Sequence, residues 1–292
     1  MLEILDIIGL YIYTYDIWSL HKHWGYLELM EAYIEIENMK IFKKFIDIIN
    51  DLSSIVTFWC SKSKLEITTM SASSTCMISM KLFPSFFSTF SIQDDLNSED
   101  IFKMNLPLSE LNAIVKILKN AVPLSIQTDQ NIHTINFLQN LSGYLSQFSI
   151  KLLDIQNQYL IDSICLEQYD YKVVMSSDMF EYIFSSSKTV DDSIKITCYP
   201  EKICFETVSQ NSISSYKSEK LFDEPQETVS LKPFEVEFFS KSLKIISQLK
   251  FVTHTVTLYL SSYIQGKPLL LRYCCASSTF DIVVVFTQKF NQ

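Results

Sequence analysis

The chain has 292 residues, of which 48% are hydrophobic and 20% charged, and its formal net charge is −9. That length accommodates one large domain or two of ordinary size, and the apolar fraction excludes a disordered tail. Phosphate contact wants an excess of basic residues, and Arg272 is the sole arginine, so guanidinium readout of bases is excluded and any DNA contact must be diffuse lysine electrostatics.

Residues 1–29 are apolar and aromatic, but Glu3, Asp6 and Asp16 interrupt them and no basic region precedes them, which excludes a signal peptide or a spanning helix. Two readings stay open: a misassigned start or poorly ordered extension, and an interfacial amphipathic helix. Met30 opens a strand pattern through Ala32, Ile34 and Ile36. Apolar residues at 41, 42, 45, 48, 49 and 52 then follow helical spacing, and Val56, Phe58 and Cys60 alternate as in a strand. A strand is expected at Lys103–Leu106, a helix at Leu108–Leu118, and strands at Leu124–Thr128 and Thr134–Leu138. Periodicity lapses between Asp154 and Glu167, a candidate connector. Beyond it the spacing predicts a strand at Thr228–Leu231, a helix at Phe234–Leu249, and strands at Thr255–Leu260, Leu269–Tyr273 and Phe280–Phe286.

The chain repeats itself. At an offset of 138, Met39–Ser71 aligns without a gap on Ser177–Ser209. Phe42 meets Phe180, Cys60 meets Cys198, Lys64 meets Lys202, Thr69 meets Thr207 and Ser71 meets Ser209, while the apolar positions between them coincide. The order strand, helix, strand, strand recurs in both halves. An α+β fold of two tandem similar domains follows.

Opposite the apolar stripe of the first helix lie Lys40, Lys43 and Lys44; the second offers Asn112, Lys116 and Lys119, and the fourth Lys241, Lys244 and Gln248. The third carries Asp178 and Glu181, with Lys188 near its end. Any one such face is ordinarily solvated. Three of them in an acidic chain, with acids gathered elsewhere as in Asp94, Asp95, Glu99 and Asp100, point to helices that face a polyanion.

Catalytic patterns are missing from the sequence: no nucleophile elbow, zinc-protease motif, P-loop or dinucleotide turn occurs. The seven cysteines form no C-x-x-C pair, and His21, His23, His133 and His254 are scattered. Asp191 and Asp192 read as a turn, with a metal-dependent nuclease pair as the competing reading. No metal, no cofactor and no enzymatic activity are expected.

Two tandem domains with lysine-faced helices resemble the DNA sliding clamps over about Met30–Gln288. Gln147–Ile155 (QFSIKLLDI) and Glu167–Phe180 (EQYDYKVVMSSDMF) are similar to the end of the first domain and the start of the second in proliferating cell nuclear antigen. Leu65–Phe90, with Phe83, Phe86 and Phe87 after a serine-rich turn, is more similar to the Rad-nine subunit of the checkpoint clamp, which forms a ring with Rad-one and Hus-one subunits. Gly266–Gln288 is similar to the last hairpin of either branch.

The resemblance implies an extension at 1–29, a first clamp domain at 30–153, a connector at 154–167 and a second clamp domain at 168–292, with inner helices and outer antiparallel sheets. It implies a nuclear subunit of a ring around duplex DNA, serving checkpoint and repair, with a replicative clamp as the alternative and a scaffold that never encircles DNA as the third. Lys40, Lys43, Lys44, Lys116, Lys119, Lys188, Lys241 and Lys244 would face DNA. Neighbouring subunits, two further clamp chains in a hetero- or homotrimer, would pair through Tyr144, Phe148, Ile150 and Leu152 on one edge and Ser214, Tyr216 and Ser218 on the other. A clamp loader would open the ring, and proteins with short hydrophobic motifs would dock near Ile155, Leu160, Ile161, Ile164 and Phe286; no membrane partner is implied. The long phosphorylated tail of the Rad-nine subunits has no counterpart after Phe286, so recruitment through such a tail is not carried over.

Overall fold

The computed structural model describes residues 13–16, 30–92, 102–129, 133–155, 169, 171–185, 193–199, 202–208, 213–219, 233–261, 268–275 and 277–287. The chain divides into two compact units, one of Met1–Thr69 with Lys81–Gln158, the other of Met70–Met80 with Tyr159–Gln292.

In the first unit, strand β1 (Tyr13–Asp16) precedes β2 (Met30–Ile36), helix α1 (Met39–Asn50), β3 (Ile55–Ser61) and β4 (Lys64–Met70). After β5 (Cys76–Leu82), most of which belongs to the second unit, come a 3-10 turn at Pro84–Phe86, β6 (Thr89–Ile92), β7 (Phe102–Pro107), α2 (Leu108–Ile117), β8 (Leu124–Asp129), β9 (Thr134–Leu141) and β10 (Tyr144–Lys151). A sheet ordered β1-β10-β9-β8-β2-β6 lies in this unit, with a second group ordered β4-β3-β7. Neighbouring strands in both run antiparallel. The β9–β10 turn is two residues long, and both take positive φ, Ser142 at 43° and Gly143 at 106°. That is the hairpin geometry whose twist matches the strands, and glycine adopts it without steric cost.

The second unit contains β11 (Tyr171–Ser176), α3 (Ser177–Ser185), β12 (Ser193–Cys198), β13 (Lys202–Val208) and β14 (Ile213–Glu219). After these follow β15 (Phe234–Phe239), α4 (Ser240–Ser247), a 3-10 turn at Gln248–Phe251, β16 (Thr255–Leu260), β17 (Leu269–Cys274) and β18 (Phe280–Phe286). One sheet runs β14-β13-β12-β15, and another runs β11-β16-β17-β18 with β5 beside β18.

The internal repeat holds in three dimensions. Offset by 138, the first residue of α1 falls on that of α3, that of β3 on that of β12, and that of β4 on that of β13. A second correspondence, offset by 132, places β7 and α2 on β15 and α4. This corrects the expected helix at Phe234–Leu249. Phe234, Val236 and Phe238 alternate with Glu235, Glu237 and Phe239 as a strand paired to β12, and the helix begins only at Ser240. The expected strand at Thr228–Leu231 lies outside the described residues, as do Asp191 and Asp192. The other expected strands and α2 stand within three residues of the structure, β9 running on to Leu141.

Aromatic side chains bind each unit's helices to its sheets. In the first, Phe42 and Phe45 of α1 are fully buried, as are Phe58 and Phe137. In the second, Phe180 and Phe184 stack tilted at 4.4 Å, Phe184 meets Phe205 at 5.8 Å, and Phe180 meets Tyr273 edge-on at 6.4 Å. Burying that much aromatic surface is the main favourable contribution to a core of this kind. The buried Tyr273 hydroxyl donates to the carbonyl of Ile246 in α4, so its polar end is satisfied as well. Within each unit the helices lie side by side, α1 with α2 and α3 with α4.

Candidate nucleic-acid interface

The apolar stripe that pins α1 to its sheet leaves Lys40 and Lys44 exposed on the far side. Asn38 starts the helix, its side chain accepting from the Ile41 N–H at 3.4 Å. Between α1 and α2 runs a groove of about 320 Å³ lined by Lys40, Lys43, Lys44 and Lys116, with Asp47 and Asn112 among the remaining walls. Asp47 carries the local countercharge, 4.0 Å from Lys44 Nζ and 3.8 Å from Lys116 Nζ. Both pairs are long and solvated, so the lysines can exchange Asp47 for another anion.

Lys43 differs from its neighbours. Its ammonium donates to the carbonyl of Leu118, the residue that ends α2, and partial burial pulls its pKa below the ordinary value. A cation at a helix C-terminus satisfies a carbonyl that the helix leaves unpaired. Lys43 is therefore first a structural clamp between α1 and α2. Asn112 departs further from expectation: it is 5% exposed, facing inward, because the α2 stripe includes it with Leu108, Leu111 and Val115. Lys119 lies beyond the end of α2 and is exposed, its backbone N–H donating to Gln139 Oε1 at 2.8 Å.

In the second unit Lys241 and Lys244 are exposed on α4, while Gln248 is half-buried in the following 3-10 turn. Lys188 lies outside the described residues. Sequence spacing missed Lys250, which pairs with Glu181 at 2.5 Å and Asp178 at 3.7 Å. The hydrogen bond from Glu181 holds its pKa above the ordinary value. The acids of α3 thus meet a cation from the end of the neighbouring helix. No pattern along either helix alone could have revealed that pairing. Arg272 serves the fold instead, since its Nε and Nη2 each reach an Asp281 carboxylate oxygen at 3.0 Å and fix the β17–β18 hairpin.

Among the described residues, each unit has a sheet with a terminal strand near the residues expected to meet a neighbour. β14 is the terminal strand of its sheet, and Tyr216 on it meets Tyr182 of α3 edge-on at 5.8 Å. Ser214 and Ser218 pair with Thr207 and Ile203 of β13, so their backbones lie along the sheet's outer strand. On the other edge, Tyr144 is 68% exposed, but Phe148 and Ile150 of β10 are buried in the first unit. Their expected contact with a neighbour can therefore involve backbone only. Leu152 follows β10, half-buried, with its N–H donated to the His133 carbonyl. The edge of β10 is also not bare, since β1 from the N-terminal segment pairs with it from Tyr144 to Gln147.

Of the expected docking residues, Ile155 is half-buried, and its carbonyl accepts from Asn105 Nδ2 at 2.9 Å and Lys103 Nζ at 3.1 Å. Leu160, Ile161 and Ile164 lie outside the described residues. Phe286 is 2% exposed at the end of β18, so its side chain is core and offers no docking handle. Among the described residues no three His, Cys, Asp or Glu side chains converge as metal ligands, and no helix is long and apolar enough to cross a membrane.

A duplicated unit of lysine-bearing helices backed by antiparallel sheets, ending in pairable edges, is the DNA sliding clamp fold. Residues 29–159 match the family model described as "Proliferating cell nuclear antigen, N-terminal domain". The chain is 22% identical over 259 residues to the proliferating cell nuclear antigen of Chaetomium thermophilum, covering 86% of this chain and 95% of that protein. It is 23% identical over 224 residues to the Caenorhabditis elegans protein of the same name, covering 73% and 80%. The crystal structure of proliferating cellular nuclear antigen from Entamoeba histolytica superposes with a TM-score of 0.75 at 17% identity, over 90% of this chain and all of that one. The chain has the clamp fold, and its residues 29–159 are similar to the N-terminal domain of proliferating cell nuclear antigen.

Proposed function

We propose that this chain is a subunit of a PCNA-type sliding clamp that closes as a trimer around duplex DNA in the nucleus, is opened by a clamp loader, and offers a platform to proteins with short hydrophobic motifs. The observation that carries the reading is the exposure of Lys40, Lys44, Lys116, Lys241 and Lys244 on helices of both units in a chain of net charge −9. Lysine is a hydrated point charge on a flexible stem, and phosphate contacts hold no sequence information, so such helices can track any duplex without stopping on it. An acidic remainder discourages DNA from binding elsewhere.

The test is topological. Protein loaded on a nicked circular plasmid should stay bound through a high-salt wash and leave when the plasmid is linearised. Release from circle and linear DNA at the same rate would reject encirclement and leave the scaffold reading.

A second reading, a subunit of the checkpoint and repair clamp, draws on the phenylalanine-rich stretch. There Phe86 meets Phe87 edge-on at 5.4 Å, and Phe87 stacks on Phe90 at 5.0 Å around the Pro84–Phe86 turn. Light scattering separates the two: a PCNA-type clamp forms a trimer of this chain alone, while a checkpoint subunit forms one only with two different clamp-like chains.

A further inference from the structure

The N-terminal segment supplies a strand of its own. β1 runs antiparallel to β10 in the register Tyr13 with Gln147, Thr14 with Ser146, Tyr15 with Leu145 and Asp16 with Tyr144. It therefore forms the sheet's outermost strand on that side, on the edge the clamp reading gives to a neighbouring subunit. Its Tyr-Thr-Tyr run is built of strong strand formers. β1 covers four of the eight residues of β10, leaving the outer side of Phe148–Lys151 beyond its register.

The same chain can place β1 there. Four inter-strand steps separate β1 from β2, roughly 19 Å at the usual strand spacing. The thirteen residues 17–29 can span about 45 Å when extended.

From these relations we propose that β1 is a self-capping strand, an intrachain competitor for the edge that pairs with β14 of a second copy of this chain. This rests on the edge-pairing reading above. A lone subunit otherwise presents a row of unpaired backbone groups along β10, which invites wrong pairing. β14, with seven residues, can outlast the four of β1 on an eight-residue strand. The half of β10 at Phe148–Lys151, beyond the register of β1, is the foothold: β14 pairs there first and displaces β1 from Gln147 toward Tyr144. Subunits whose cap is closed cannot complete an interface, so the apparent affinity falls by the fraction of chains that are open. A cap closed in nine of ten chains weakens assembly by about tenfold.

Two full-length variants, Y13P/Y15P and T14P/D16P, test this, because only alternate N–H groups of a strand point at its partner and one variant must remove them. Sedimentation over a concentration series gives the assembly constant, and hydrogen exchange on the dilute protein reads the amides of Tyr144–Gln147. The expected result is protection of these amides in the parent chain, its loss in at least one variant, and assembly of that variant at about tenfold lower concentration. Equal exchange in the parent and both variants would overturn the seat of β1. Lost protection with unchanged assembly would overturn the competition while leaving the clamp reading intact. A variant with an exposed edge that never self-associates would overturn the pairing of copies, and the cap with it.

Discussion

Lys250 reaches across from the turn after α4 to Glu181 on α3, Nζ to Oε2 2.5 Å, with Asp178 Oδ1 at 3.7 Å. The one helix whose outward residues are acidic thus carries its compensation on a neighbour. K250Q removes that compensation and leaves two carboxylates toward any polyanion near α3. Retention on duplex DNA should weaken several-fold at about 50 mM salt and converge with the parent at about 300 mM, where screening is short-ranged. The melting temperature should move little, since Lys250 is exposed and Glu181 only half-buried. Equal retention at low salt would mean that α3 faces away from DNA.

The lysines divide into two groups that mutation can separate. K40A/K44A/K241A/K244A removes four exposed charges, and the slope of log affinity against log salt should fall by about 3.6, or about 0.9 for each phosphate no longer neutralised. K43A should leave that slope nearly unchanged. It should instead lower unfolding free energy by about 1 kcal/mol, because the Leu118 carbonyl loses its donor. Salt titrations by fluorescence anisotropy and urea unfolding read the two effects.

Much of this division could not be read from spacing. The offset of 138 was visible because α1 and α3 begin at equivalent residues and Phe42 and Phe180 fill equivalent core positions. The second correspondence was hidden at β15, where Phe234 to Phe239 joins directly to α4 without a turn residue, so two periods run together. Asn112 read as an outward neighbour of Lys116, since spacing gives a face but not its burial, and α2 is covered on the side that faces α1. Pairings between elements, such as Lys43 with Leu118 or Lys250 with Glu181, leave no trace in local sequence. β1 was missed for the same reason: its partner β10 lies more than a hundred residues away.

Gln139 closes the far end of α2. It is 2% exposed, accepts from the Lys119 N–H at 2.8 Å, and donates through Nε2 to the carbonyls of Lys119 at 2.8 Å and Val122 at 2.7 Å. Q139L keeps most of the volume and strands these backbone groups at the end of the helix. Stability should fall by about 3 kcal/mol, measured from urea midpoints at constant slope. A loss below about 1 kcal/mol would mean that water replaces the amide.

The two cysteines matched by the repeat, Cys60 and Cys198, have thiols that burial pushes from an ordinary 9.0 up to about 12, with Cys204 adding to the effect at Cys198. Unfolding restores the ordinary value, so above pH 9 the unfolded chain releases protons that the folded chain keeps. The resulting stability is fully present below pH 9 and is lost as pH rises toward 12. Each thiol contributes a slope of about 1.4 kcal/mol per pH unit in that window. C60A/C198A should therefore lose stability less steeply than the parent, by about 2.7 kcal/mol per pH unit, in urea unfolding between pH 9 and 10.5. Parallel curves would mean that the two thiols titrate alike in both states.

Tyr182 is 60% exposed on α3 and Met179, three residues before it, is 52% exposed, while the Tyr182 ring also rests against Tyr216 of the terminal strand β14. Large apolar groups exposed beside a terminal strand are costly to leave in water, and aromatic residues and methionine are enriched where proteins meet. Backbone pairing along β14 would give a neighbour its register, and these side chains would give the contact its apolar centre. Y182D places a charge in that centre without touching the core of the unit, so the monomer's melting temperature should stay within about 2 °C of the parent. The assembly constant should weaken by about thirtyfold or more, as for the loss of a central anchor, while Y182F should assemble nearly as the parent does. Sedimentation equilibrium on all three proteins decides the point. If Y182D assembled as tightly as the parent, α3 would lie outside the interface and backbone pairing on β14 would have to hold the neighbour alone.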